Sequence, residues 1–257
     1  MSPNDQWVAF QTIVVKEIRR FTRIWTQTLL PPVITMVLYF VIFGSLIGRR
    51  IGEMEGLDYV SFVAPGLIMM SVLTNSYTNV VSSFFGSKFS RCIEELLVSP
   101  TPNYVILLGF VIGGVSRGLI VGVFVTLTSL FFTDMQIHNL PIVIVTVFLT
   151  SVLFAVAGLV NGVFARNFDD VNIVPTFVLT PLTYLGGIFY SINMLPVFWQ
   201  GVSKFNPILY MVNAFRYGFL GISDVNVVLA LCMILVLIAV FTVFALYLLK
   251  NAKGLRA

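Results

Sequence analysis

The side chains most often used in catalysis are scarce in this sequence. His138 is the only histidine among 257 residues, and it falls between two apolar runs, in a short predicted outer loop. A single histidine in that loop argues against a Ser-His-Asp arrangement and rules out a metal site with several histidines. The phosphate-binding pattern G-x-x-x-x-G-K-[ST] is also missing, because Gly86, Ser87 and Lys88 match its end only in reverse order. We therefore expect no catalytic residue, no metal site and no cofactor bound by this chain.

The thiols and the one charge within the apolar runs offer no redox or proton-transfer site. Cys92 lies in a charged segment and Cys232 in an apolar run, so no disulfide framework is expected. Arg117 is the only ionisable residue inside the spans predicted below, and no acidic residue matches its depth. A proton-coupled transporter needs carboxylates at such positions. A proton relay is therefore not expected.

Uncharged polar residues recur at helical spacing in two apolar runs. The first run has Ser71, Asn75, Thr78, Asn79 and Ser82, and the second has Thr176, Thr180 and Thr183. Residues three or four apart share one helix face, and polar faces within a membrane turn toward protein or water. The stripes either line a path for an amphiphile or bond helices to one another. The pattern alone slightly favours helix bonding and leaves both interpretations open.

A charged segment that contains IEELLVSPTP separates the second and third apolar runs. Its apolar residues Phe89, Ile93, Leu96 and Leu97 share one helical face, whereas Lys88, Arg91, Glu94 and Glu95 lie largely on the other. Pro100 and Pro102 end the helix. The segment is either a short helix that grips a partner or a loop that joins two spans, and the pattern favours neither.

The composition indicates an integral membrane protein. Hydrophobic residues make up 58% of the chain and charged residues 10%, with a mean hydropathy of +0.98. A soluble domain is usually about one quarter charged. A soluble enzyme, a nucleic-acid-binding domain and a disordered chain are therefore poor fits, and no nucleic-acid partner is expected.

The apolar runs predict an all-α membrane protein with six transmembrane helices in one domain, 1–257. Each run meets the length of about 20 mainly apolar residues that a bilayer core requires. The predicted spans are 29–48, 62–87, 106–133, 141–165, 171–190 and 225–249.

Two further segments are predicted at the membrane surfaces. Residues 1–28 form an amphipathic helix whose apolar stripe is flanked by tryptophan and whose other faces are basic, which favours the inner headgroup layer over packing on the rest of the chain. Residues 191–220 contain two short apolar stretches separated by Asn206 and Pro207, which predict an outer re-entrant hairpin. A seventh span here would place the basic C-terminal end outside, against the positive-inside rule.

The distribution of Lys and Arg predicts that both termini are cytoplasmic. Ten lie on one side of the predicted spans: Lys16, Arg19, Arg20, Arg23, Lys88, Arg91, Arg166, Lys250, Lys253 and Arg256. Four lie on the other: Arg49, Arg50, Lys204 and Arg216.

Longer stretches of the sequence carry a family resemblance. They read LLPPVITMVLYFVIFGSLIG, APGLIMMSV, FDDVNIVPTFVLTPLTYLGGIFYS and FRYGFLGISDV. Together with six spans, an interfacial N-terminal helix, the IEELLVSPTP segment and a hairpin ending NPILYMVNAFRYGFLG, they resemble the ABC-2 type permeases, the membrane subunits of ATP-driven exporters. The resemblance covers nearly the whole chain and is greatest to the YadH-type inner-membrane permeases.

The resemblance implies a homodimer in the inner (cytoplasmic) membrane that carries two copies of a separate ABC ATP-binding subunit, where ATP and Mg²⁺ would bind. Segment 88–101 then becomes a cytoplasmic coupling helix that docks in the ATPase, with Leu96 and Leu97 in an apolar groove. The positions carried over are Glu94, Glu95, Leu96, Leu97, Ser99 and Pro100.

The family also places the first and fifth spans at the dimer interface. This makes Tyr39, Thr176, Thr180, Thr183 and Tyr184 candidates for the transport path, and Asn75 and Asn79 join them from the polar stripe. The implied function is export of an unidentified amphiphilic or lipid-linked substrate by alternating opening of the dimer. An ATP-independent pore or scaffold is the alternative, and it leaves segment 88–101 without a task.

Overall fold

Helices make up nearly all of the regular structure. The computed structural model describes residues 2–48, 52–133 and 136–251. The α-helices are α1 Pro3–Arg23, α2 Trp25–Ile42, α3 Tyr59–Phe89, α4 Cys92–Val98, α5 Asn103–Ser129, α6 Leu140–Phe164, α7 Phe168–Val174, α8 Thr180–Tyr184, α9 Val197–Lys204, α10 Pro207–Leu220 and α11 Val227–Asn251. A 3₁₀ turn spans Ile192–Met194, and the short strands β1 Glu53–Met54 and β2 Leu57–Asp58 pair antiparallel. The all-α class is confirmed. Arg49, Arg50, Lys253 and Arg256, which entered the charge balance, lie outside the described residues.

Five of these helices are long and apolar enough to cross a membrane, namely α2, α3, α5, α6 and α11. They coincide with five of the six predicted spans. The predicted span 171–190 is instead a segmented helix, in which π-helical Pro175–Leu179 joins α7 to α8 and the helix ends at Tyr184. Pro175 and Pro181 lack the N–H group that a regular α-helix would use at these positions. We refer to α7, the π-helical turn and α8 together as the segmented helix.

Helix α3 forms the centre of the molecule. The most apolar 18-residue stretch of α3 is 78% buried, whereas the corresponding stretches of α2 and α11 are 17% and 11% buried. It packs against α5, α6 and α10. Side chains from both ends of α3 belong to the two apolar clusters of the core. Helices α2 and α11 therefore lie at the periphery, with most of their apolar surface facing outward.

Helix α1 packs along the first half of α5. A Cβ atom at Gly113 would lie 2.5 Å from Cβ of Glu17, and one at Gly109 would lie 2.5 Å from Cγ2 of Ile13. The two glycines therefore permit a close approach that no other residue type allows. Trp7 and Trp25 at the two ends of the amphipathic helix remain exposed. The sequence pattern had favoured a position on the membrane over packing on the chain itself, and the structure shows that α1 does pack on the chain.

Candidate coupling helix and transport path

Helix α4 is separated from α3 by a sharp turn. Arg91 has a left-handed conformation with φ 61°, which is uncommon for a residue other than glycine. Ile93 is fully buried and anchors α4 to the core. Lys88 Nζ, just before the turn, donates hydrogen bonds to the carbonyl oxygens of Val163 and Ala165 at 2.8 and 2.7 Å. The start of segment 88–101 is therefore the end of α3, and Lys88 ties that end of α3 to the end of α6.

The turn decides which side chains of α4 face outward. Glu94 and Glu95 are exposed, and Leu96 and Leu97 are half-buried against the chain's own core. Val98 is 87% exposed and is the apolar group that α4 presents most fully. The periodic pattern had grouped the leucines as the gripping surface. The residue missed was Val98, which directly precedes the terminating Ser99 and the exposed Pro100.

Three aromatic rings connect the end of α3 to the start of the segmented helix. The ring of Phe168 lies 5.0 Å from that of Phe85 and 5.1 Å from that of Phe89, measured between centroids. Phe89 and Phe168 are both largely exposed. The end of α3, just before the turn, is therefore in direct ring contact with the start of the segmented helix. We call Phe85, Phe89 and Phe168 the aromatic link.

The two asparagines of the first polar stripe have different surroundings. Asn75 lines a cavity between α2, α3 and α5, and Tyr39 lines the same cavity. The Oδ1 atom of Asn75 accepts a hydrogen bond from Arg117 Nη2 at 3.0 Å. Asn79 is fully buried, and its Oδ1 accepts a hydrogen bond from Arg20 Nη2 at 2.7 Å. Both asparagines bond helices together, and Asn75 also faces an open space.

The second polar stripe lies partly on the outer face of the segmented helix. Thr176 and Thr180 are exposed, whereas Thr183 is buried and donates a hydrogen bond to the Thr180 carbonyl oxygen at 2.7 Å. Tyr184 stacks on Phe189 with ring centroids 6.0 Å apart. Phe189 also lies 6.2 Å from the ring of Tyr39. The structure thus joins Tyr39 and Tyr184 through one ring, but it does not bring Thr176 and Thr180 into the cavity beside Asn75.

A buried carboxylate holds α1 in place. Glu17 is fully buried, and its Oε1 accepts a hydrogen bond from Ser83 Oγ at 2.7 Å. The Nε atom of Arg20 lies 3.3 Å from Glu17 Oε2, and Lys16 Nζ lies 3.7 Å from Oε1. Sequence reasoning missed Glu17. Its signal was a single acid within an otherwise basic stretch of an amphipathic helix.

A buried cation ties α10 to the residues that follow the segmented helix. Arg216 Nη2 donates a hydrogen bond to the Gly187 carbonyl oxygen at 2.6 Å, and the guanidinium lies 4.0 Å from the ring centroid of Phe62. Burial lowers the pKa of Arg216 to about 10, while the carboxylates of Asp224 and Glu55 act in the opposite direction. The group remains protonated at neutral pH. Arg216, counted above as an outer-loop cation, is therefore a structural clamp inside the protein.

Comparison with known proteins identifies the family. The model of the ABC-2 type transporter family matches residues 8–220. The inner membrane transport permease YadH of Escherichia coli K12 is 60% identical over 251 residues, which are 98% of each chain. Nodulation protein J of Rhizobium leguminosarum bv. viciae is 25% identical over 209 residues, 79% of each chain, and that of Rhizobium meliloti is 24% identical over 204 residues, 76% of each. The chain therefore belongs to the ABC-2 type transporter family and is a membrane transport permease subunit.

Proposed function

We propose that this chain, as one domain over 1–257, is the membrane subunit of an ATP-driven exporter in the inner membrane. Two copies form a homodimer and carry two copies of a separate ABC ATP-binding subunit on the cytoplasmic side. ATP and Mg²⁺ bind in that partner, and this chain takes no part in covalent chemistry. The observation that carries the proposal is the exposed surface of α4, in a chain of the ABC-2 family.

The surface of α4 suits a docking role. Val98 provides an exposed apolar centre, and Glu94 and Glu95 provide charges beside it. Protein interfaces commonly combine an apolar centre with a polar rim. Because Ile93 is buried in the core, we expect a force applied to this surface to be passed from α4 to the helices below it. Ser99 and Pro100 complete the same surface at the C-terminal end of α4.

The transport path is proposed to lie between the two copies. Helix α2 exposes Leu30, Ile34 and Leu38, and the segmented helix exposes Phe177 and Tyr184. These outward faces support packing against lipid and against a second copy. Thr176, Thr180 and Tyr184 would then face the path from one side, with Tyr39, Asn75, Asn79 and Thr183 supporting it from within.

The proposed topology has six spans and cytoplasmic termini. The segmented helix is the fifth span, α9 and α10 form the outer re-entrant hairpin, and α1 lies in the inner headgroup layer. In this arrangement α4 and the aromatic link are on the cytoplasmic side. ATP binding in the partner moves α4, the aromatic link passes the movement to the segmented helix, and the dimer interface opens alternately to the two sides. The substrate is an amphiphilic or lipid-linked molecule.

Co-purification from native membranes tests this assembly. Two differently tagged copies of the full chain are expressed together, and one tag is used for purification in mild detergent. The expected eluate contains the second tagged copy and an ATP-binding subunit in equal number. Val98→Asp should lose the ATP-binding subunit but keep the second copy. An eluate of wild-type chain with no ATP-binding protein would favour a pore or scaffold instead.

A further inference from the structure

A partly polar cavity opens between α2, α3 and α5. Its volume is about 260 Å³. Its lining includes Gln27, Thr28, Met36, Leu67, Asn75 and Arg117. We call it the Arg117 cavity.

Arg117 brings an unneutralised positive charge to this cavity. An arginine side chain stays protonated in proteins, so its charge persists at depth. Within the described residues, the ion pairs are Lys16–Glu17 and Arg20–Glu17, and neither includes Arg117. Its one hydrogen bond to a side chain goes to Asn75, and its Nε is buried without a hydrogen-bond partner in the described part of the chain. A partly buried charge without a counter-charge is costly, and the cavity gives a negative group from outside the chain room to pair with Arg117.

Arg20 provides a comparison within the same structure, because its guanidinium is paired with a carboxylate. It bonds Asn79, one helical turn from Asn75 on the same face of α3. The two arginines therefore have equivalent amide acceptors. Arg20 is neutralised by the buried carboxylate of Glu17, whereas no carboxylate in the described part of the chain forms an ion pair with Arg117. Of these two arginines, Arg117 is the one without a counter-charge within the described residues, and it is the one that lines a cavity.

The cavity changes from polar to apolar along its length. Gln27 and Thr28 lie just after the exposed Trp25, and tryptophan is typical of the membrane–water interface. Further along the same helices the lining becomes Met36 on α2 and Leu67 on α3. The polar end therefore faces the inner headgroup level, and the apolar end faces the hydrocarbon. This gradient matches a molecule with a polar head and an apolar tail.

The polar end also offers hydrogen-bond acceptors. Pro31 and Pro32 have no N–H group, so the carbonyl oxygens of Gln27 and Thr28 cannot receive their helical hydrogen bonds. Both residues line the cavity. Carbonyl oxygens without these helical hydrogen bonds, in a cavity that Arg117 also lines, suit a headgroup that carries hydroxyl groups as well as a negative charge.

We propose that the Arg117 cavity binds an anionic, hydroxyl-bearing amphiphile of the inner leaflet, with its phosphate paired to Arg117 and its tail along Met36 and Leu67. We also infer that the exported substrate belongs to this class of molecule, and that step rests on the proposed function. Binding itself requires no ATPase. The lipid site and the ATP-driven function can therefore be refuted independently of each other.

Native mass spectrometry of the detergent-purified full chain tests this site. The probes are phosphatidylglycerol, diacylglycerol with the same acyl chains, and soluble glycerol phosphate. Arg117→Gln removes the charge, and Asn75→Asp keeps the arginine but supplies an internal carboxylate 3.0 Å away at the position of Asn75 Oδ1. Arg19→Gln removes a charge of the same sign from the exposed face of α1 and is the matched control.

The wild-type chain and Arg19→Gln should hold phosphatidylglycerol in preference to diacylglycerol. Both Arg117→Gln and Asn75→Asp should bind phosphatidylglycerol at least about tenfold more weakly, the loss expected for a charge-assisted contact. Unchanged binding by either variant, or equal binding of diacylglycerol by the wild type, overturns the site. Full displacement by glycerol phosphate assigns it to a soluble anion and overturns the amphiphile. Absence of a co-purifying ATP-binding subunit, with lipid binding intact, refutes the proposed function alone.

Discussion

At the scale of single residues, the docking surface of α4 depends on one small side chain. Val98 is exposed, whereas Leu96 and Leu97 are partly engaged by the chain's own core. An apolar group contributes to binding in proportion to the surface that it newly buries. Val98 therefore has the most to gain from a partner, and the leucines combine a docking role with a structural one.

Substitutions in α4 should separate these two roles. Val98→Ala should weaken binding of the ATP-binding subunit roughly fivefold, since it loses about 1 kcal/mol of apolar burial. Val98→Asp should weaken it more, because a charge would enter an apolar groove. Leu96→Ala and Leu97→Ala should weaken binding more than Glu95→Gln does, and they should also lower the melting temperature. Binding is measured by titrating the ATP-binding subunit over the immobilised permease, and stability is measured by thermal melting in detergent. Equal affinity of all five variants would leave α4 as a connecting loop.

At the scale of helices, the aromatic link joins the end of α3, just before α4, to the start of the segmented helix. Phe89→Ala or Phe168→Ala should reduce the effect of the permease on ATP turnover while leaving ATPase affinity nearly unchanged. The double variant should be no worse than Phe168→Ala alone, because loss of the Phe168 ring removes both of its contacts, whereas Phe89→Ala leaves the contact between Phe85 and Phe168. Phe164→Ala is the matched control, since its ring stacks on Phe244 at 6.3 Å and is exposed. Additive losses in the double variant would show that the rings act independently.

The contact between α1 and α5 is a second property of the helices that can be tested. Gly113→Ala would bring a methyl group within 2.5 Å of Glu17 Cβ, and overpacking of this kind typically costs about 1 to 3 kcal/mol. Gly86→Ala is the matched control, because a Cβ there meets nothing within 4 Å. Thermal melting in detergent should fall for Gly113→Ala and stay level or rise for Gly86→Ala. Equal melting temperatures would mean that α1 does not pack tightly on α5.

An element could be predicted from the sequence where its cause lies within one segment of the chain, and not where it depends on distant residues. Five spans were predictable because length and hydropathy are properties of one contiguous segment. The docking of α1 was not, since it depends on Gly109 and Gly113 meeting residues about a hundred positions away. The outward direction of Val98 was hidden by the left-handed turn at Arg91, a conformation that sequence rarely signals for arginine. Pro175 and Pro181 were signals of the early end of the segmented helix. The sequence stays apolar beyond them, however, and the predicted span was therefore extended to residue 190.

At the scale of the whole molecule, the topology is open to direct labelling. Cys92 and Cys232 are exposed and must first be replaced by serine. Gly201→Cys in α9 should then react with an impermeant maleimide in intact cells, whereas Glu94→Cys in α4 should react only after permeabilisation. Both positions are exposed, so reactivity reports the side of the membrane. Labelling of Glu94→Cys in intact cells would reverse the proposed orientation.

The central claim for the whole molecule is that α4 couples ATP hydrolysis in a partner to movement in this chain. The most direct measurement is ATP turnover by the co-purified ATP-binding subunit, reconstituted in liposomes with and without the permease. We expect turnover to change severalfold when the wild-type chain is present and to return to the level of the isolated subunit with Val98→Asp. Turnover that is the same with the wild-type chain, with Val98→Asp and without any permease would contradict the account.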